Sequence, residues 1–233
     1  MTDHADLLDR ISTFQRHISE TPPDHAPDDL EITLRLADHP ALLVAGHAAA
    51  HVRAGEWRRA DALTGPLVLE AARIAKCSAL VVTQSGQEDA NTLSSPRIRS
   101  LLVRLTERRP VFVLDVHGMR SQRNDVDLYI SAAGGNAPAK LVAWIAVCAD
   151  RHEISYEIQT AGSYAGAAPE RLARLFLDSF GIPALQIEFA KSLRQPRVDP
   201  VRYAEAIAFL AEVAAWPDPE VPGPALGDLA DEA

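Results

Sequence analysis

His47 and His51 stand at i and i+4 in Gly46-His-Ala-Ala-Ala-His-Val-Arg53, directly after the apolar stretch Leu42-Leu43-Val44. If the segment is helical, both imidazoles point to one side and can share a metal ion. The small residues Ala48, Ala49 and Ala50 leave open space beside the rings. The same spacing also suits a surface loop with two solvated histidines. A second apolar run, Val111–Leu114, leads straight into Asp115-Val-His117-Gly118-Met-Arg120. Asp115 fits either a carboxylate that orients a metal-bound histidine or a cap on local backbone donors. A third run, Ala184-Leu-Gln-Ile-Glu-Phe-Ala190, sets Glu188 among Leu185, Ile187 and Phe189, with Gln186 on its own face. Burial there disfavours the carboxylate's charge and lifts its pKa toward the range of a general base. On an edge strand the same face would meet solvent instead.

Ligands of an open α/β sheet bind beyond the carboxyl ends of its strands, so these residues matter only if their strands run side by side. The hydrophobic pattern predicts that kind of sheet. Leu7, Leu8, Ile11, Phe14 and Ile18 fall at helical spacing over 3–19, and a Pro-rich loop occupies 21–29. Strands are predicted over 30–36, 41–45, 79–83, 111–116, 126–130, 154–158 and 184–189. Helices are predicted over 65–75, 96–107, 137–148, 169–180 and 200–215. Uninterrupted apolar strands such as Val111-Phe-Val-Leu114 need cover on both faces. Their alternation with helices predicts one three-layer α/β domain over 1–216, with a mostly parallel or mixed sheet. The Pro- and Asp-rich segment 217–233 reads as a disordered tail.

The chain has 233 residues, 47% of them hydrophobic, enough for a sizeable core. Lys and Arg total 23 against 32 Asp and Glu, a formal charge of -9 with no basic cluster, which argues against nucleic-acid or anionic-membrane partners. No apolar run approaches membrane-spanning length, and the acidic start does not read as a signal peptide. Cys77 and Cys148, each in apolar context, read as buried thiols of a reducing compartment, so a cytoplasmic protein is expected. Neither Gly-x-Ser-x-Gly nor a phosphate-binding glycine motif is present, which leaves serine-hydrolase and nucleotide-dependent readings without support.

The segment Leu43-Val-Ala-Gly-His47-Ala-Ala-Ala-His51-Val-Arg53, followed by Asp61 and Thr64-Gly65, resembles the first metal-binding block of N-formylglutamate amidohydrolase-like proteins. These share the zinc-exopeptidase fold of zinc carboxypeptidases and aspartoacylase. Asp115-Val-His117-Gly118 resembles the block that supplies a later zinc ligand. Gln186-Ile-Glu188-Phe is similar to the strand carrying the general base, and Glu88-Asp-Ala-Asn91 stands where substrate is bound. The resemblance implies a Zn²⁺-dependent amidohydrolase acting on an N-acyl or amide bond of a small carboxylate-bearing molecule. It implies His47 and His117 as ligands, Glu188 as general base, Asn91 as a substrate contact and Asp115 as support for His117. The family's His-x-x-Glu is broken by Ala50, so the third ligand falls to His51, with Asp61 as the alternative. The arginine usual after the asparagine is Thr92, so a substrate carboxylate falls to Arg97, Arg99, Arg120 or Arg53. The Gly162–Gly166 loop, with Tyr164, is a candidate wall of the site. A family member that binds an acid or a metal without turnover is the alternative reading.

Overall fold

The computed structural model describes residues 4–18, 31–53, 55–84, 96–106, 110–119, 126–131, 139–159 and 172–216. In chain order the elements are α1 (His4–Gln15), β1 (Glu31–Arg35), β2 (Ala41–Ala45), β3 (His51–Arg53), β4 (Glu56–Arg58), α2 (Thr64–Ala75), β5 (Ser78–Gln84) and α3 (Pro96–Thr106). There follow β6 (Phe112–Gly118), β7 (Leu128–Ser131), α4 (Ala139–Arg151), β8 (Tyr156–Gln159), α5 (Leu172–Phe180), β9 (Ala184–Phe189) and α6 (Pro200–Ala214). The expectations for 21–29, Asn91, Arg120, the Gly162–Gly166 loop and 217–233 lie outside the described residues, as do the side chains of Arg97 and Arg99.

The strands predicted from apolar runs assemble into a seven-stranded sheet of order β1-β5-β2-β6-β9-β7-β8, flanked by helices. Its centre, β5-β2-β6-β9, is parallel. Antiparallel β1 closes one edge, and β7 and β8 run opposite to the centre at the other. Every residue of β2 is buried and apolar, as a strand covered on both faces requires, and β9 is buried throughout as well, so its alternating Gln186 and Glu188 face an enclosed side of the sheet. Helix α2 packs on β5 and β2, and α6 on α2. Helix α6 opens with Pro200 after Asp199, whose side chain accepts from the Arg202 backbone N–H at 2.9 Å. Helix α5 packs on β9 and β6. Cys77 and Cys148 are buried free thiols, as expected.

Residues 46–53 are not helical, so the condition under which both imidazoles would face one point is not met. Gly46 and His47 form a turn, Ala48–Ala50 are buried without helical structure, and His51 opens a two-stranded hairpin of β3 and β4. Gly55, at φ 77, takes the left-handed conformation that turn requires. Two anchors hold the loop from the other side. The Asp61 N–H donates to the His47 carbonyl at 2.8 Å, and the Thr64 hydroxyl donates to the Asp61 carbonyl at 2.7 Å.

Candidate metal centre

Parallel pairing of β2, β6 and β9 puts their carboxyl ends on one edge of the sheet, and register fixes which side chains are neighbours. His117 pairs with Glu188, and Asp115 pairs with Gln186. Residues opposite one another across a ladder share a face, so His117, Asp115, Glu188 and Gln186 project to the same side. Glu188 is buried, and β9 lies inside the sheet between β6 and β7, so the solvent-facing edge-strand alternative does not hold.

Three ligating side chains converge there. The ligand atoms of His47, Asp61 and His117 all lie within 4.8 Å of one another. Asp61 Oδ2 is 3.0 Å from His117 Nδ1 and 3.8 Å from His47 Nδ1. The His47 and His117 rings meet edge-on, with centroids 4.8 Å apart. His51 does not enter this cluster. It stacks on His47 with centroids 3.8 Å apart and planes within 5°, its Nδ1 3.3 Å from the Ala49 carbonyl. The geometry therefore joins Asp61, the alternative in the sequence, to His47 and His117, and makes His51 a platform beneath His47. The reason is local: with no helix over 47–51, the two imidazoles are not brought to one point by the i, i+4 rule.

Support comes from further carboxylates and cations. Asp115 is fully buried, and its Oδ1 lies 3.2 Å from His117 Nε2. Gln186 Nε2 donates to Glu188 Oε1 at 2.6 Å. Arg53 Nη2 lies 3.1 Å from His47 Nε2. Of the four arginines singled out in the sequence, Arg53 is the one whose described side chain reaches the centre. Two residues there carry no motif signal. Tyr129 on β7 pairs with Glu188, and the buried Arg194 follows β9. Tyr129 became visible only with the antiparallel register. A buried arginine six residues beyond Glu188 has no signature in a linear sequence.

The electrostatics separate the acidic groups. Burial opposes the charge on Asp61, but its hydrogen bond to His117 and the charges of His117, His47 and Arg194 hold it down at about 2. Burial likewise disfavours the His117 imidazolium, yet Asp115, Asp61 and Glu188 together raise it well above its ordinary value. For Glu188 burial dominates and raises its pKa, against the partial opposition of His117 and Gln186. Two imidazoles and a carboxylate are a donor set that could hold a metal ion, and the surplus negative charge around His117 suits a divalent cation.

No protein-family model matches the chain, and no curated protein matches it. Solved structures do. N-formylglutamate amidohydrolase from Ralstonia eutropha JMP134 superposes with TM-score 0.54 at 14% identity, over 79% of this chain and 95% of that one. A bacteriophage poly-gamma-glutamate hydrolase gives TM-score 0.51 at 13% identity, over 84% and 89% of the two chains. A structure described as zinc-free YNDL gives TM-score 0.51 at 14% identity, over 82% and 91%. The fold expected from the four sequence blocks is therefore the fold found.

Proposed function

We propose that the chain is a zinc-dependent amidohydrolase that cleaves an N-acyl or amide bond in a small carboxylate-bearing substrate. One observation carries the reading: the His47–Asp61–His117 cluster opens beside a buried Glu188 whose pKa is raised and whose strand position is registered against His117. The neighbours of like fold include an N-formylglutamate amidohydrolase and a poly-gamma-glutamate hydrolase, which support a hydrolytic role.

His47, Asp61 and His117 would hold the metal, with His51 stacked beneath His47 to fix its ring and Asp115 behind His117. Zinc in such a donor set supplies Lewis acidity toward a carbonyl oxygen and toward water. Gln186 occupies Glu188 Oε1, so Oε2 is the atom that takes the proton from the attacking water and returns it to the leaving nitrogen. Arg53 is placed to clamp the substrate carboxylate through its guanidinium fork. A cytoplasmic location and a free small-molecule substrate fit this chemistry.

One observation favours the alternative in which a small acid is bound without turnover: the Arg53 guanidinium, a cation, sits 3.1 Å from an expected ligand atom of His47, where it would compete with a metal ion and attract an anion. Metal analysis of protein purified without chelator, followed by a screen of N-acyl amino acids and γ-glutamyl compounds with added zinc, separates the two. About one zinc per chain together with hydrolysis supports the enzyme. Zinc without hydrolysis supports the binding protein. Neither zinc nor hydrolysis overturns the metal reading.

A further inference from the structure

Arg194 closes a 3-10 turn, Lys191–Arg194, that follows β9. It is buried, and removing a guanidinium from water is costly unless its donors are met. They are met by backbone carbonyls on three separate segments. Nε donates to the Phe189 carbonyl at 3.1 Å, Nη2 donates to the Met119 carbonyl at 3.0 Å, and Nη1 donates to the Ala62 carbonyl. Phe189 directly follows Glu188, Met119 stands two residues after His117, and Ala62 directly follows Asp61. The Met119 N–H also donates to the Phe189 carbonyl at 2.9 Å, closing the ring of contacts. Gly118 belongs to the same arrangement, because a Cβ there would overlap the Arg194 guanidinium.

We propose that Arg194 is a positioning residue: one planar guanidinium, bridging the segments that carry Asp61, His117 and Glu188, sets the spacing between the metal ligands and the general base. The inference rests on the metal-site reading above and extends it to a residue that touches neither metal nor substrate. Lysine is a poor replacement, since one ammonium cannot reproduce a fork spread over three carbonyls.

The test uses full-length, metal-free Arg194→Met, Arg194→Lys and Gly118→Ala beside wild type, with Ile145→Val as a core variant on α4, which carries none of the site residues. Zinc affinity is read by competition with a chromophoric chelator, Tm in chelator reports the fold, and the His117 ring resonances of the metal-free protein report cluster geometry. Loss of such outer support weakens metal binding by about 10–100-fold. That loss is expected in Arg194→Met, a smaller one in Arg194→Lys, and a change in the same direction in Gly118→Ala, which displaces the guanidinium without removing it. Ile145→Val should lower Tm with zinc affinity intact. Unchanged zinc affinity in folded Arg194→Met, or an equal loss in Ile145→Val, overturns the proposal. Should Arg194→Met not fold, Gly118→Ala decides the matter on the same readouts. If wild type binds no zinc, the metal reading fails on that result alone, and Arg194 is judged on the His117 resonances. A shift in Arg194→Met absent from Ile145→Val upholds the positioning role, and identical spectra end it.

Discussion

Asp61 and Glu188 are both carboxylates within the field of His117, yet their surroundings push them apart: Asp61 is held at about 2 by its hydrogen bond and nearby positive charge, while burial raises Glu188. Opposite displacement of this kind separates a charged ligand from a proton-transferring base. Glu188→Gln keeps the size and the Gln186 contact but removes the proton acceptor, so kcat should fall by about 10²–10⁴ with zinc stoichiometry unchanged; equal turnover in the variant would assign the base elsewhere. The Asp61–His117 pair also predicts a pH signature for the metal-free protein. The contribution of Asp61 to stability is complete above its ordinary 3.8 and is lost as pH falls toward about 2. The contribution of His117 is complete below its ordinary 6.5 and is lost as pH rises through its elevated value. The stability difference between wild type and Asp61→Asn, measured by urea unfolding in chelator, should therefore be largest between about pH 3.8 and 6.5 and shrink on either side. A difference that is flat with pH would mean the pair is not coupled to folding.

The turn that carries His47 and the segment that carries Asp61 meet His117 at the end of β6, and their close packing has its own consequence. Gly65, in the first turn of α2, lies where a Cβ would come within 2.7 Å of Ile18 Cδ1, 2.9 Å of Val81 Cγ1 and 3.1 Å of Ala48 Cβ. Those atoms belong to the segment after α1, to β5 and to the residue next to His47, so the helix start is wedged between sheet and site loop. Gly65→Ala should destabilise the protein by about 1–3 kcal/mol through overpacking, read from the urea midpoint; an unchanged midpoint would show that the wedge is slack. The sheet itself was legible, since β2, β5, β6 and β9 are short apolar runs bounded by polar or turn residues, and His117 and Glu188 could be placed near strand ends for that reason. The hairpin of β3 and β4 was not legible, because three-residue strands around Gly55 are too short to show a period of two. With the hairpin unseen, a helical turn that would put His47 and His51 on one side stayed open. Register was not legible either. Nothing in the chain order says that β9 returns beside β6 with β7 antiparallel on its far side, so Tyr129 opposite Glu188 and the Arg194 bridge emerge only from the assembled sheet.

At the scale of the whole molecule, the formal charge of -9 opposes the arrival of an anionic substrate that the site is proposed to hold. Capture must then depend on short-range contact, and Arg53, beside His47, is the described side chain placed to provide it. The two ranges respond differently to salt. Repulsion from the distributed surface charge acts beyond about 10 Å and is screened at about 0.1 M ionic strength, whereas a partly buried guanidinium–carboxylate pair is screened far less. Raising ionic strength from about 0.01 to 0.1 M should therefore increase kcat/KM for a carboxylate substrate by up to about tenfold, leaving a neutral amide analogue unaffected. Arg53→Gln should raise KM for the carboxylate substrate about 10–100-fold, the loss expected of a charge-assisted contact of about 1.5–3 kcal/mol, and should barely change KM for the neutral analogue. It should also leave the salt response in place, because that response belongs to the other charges of the molecule. Equal loss with both substrates would show that Arg53 supports His47 rather than the substrate, and the guanidinium's position 3.1 Å from the His47 ring would then be its whole role.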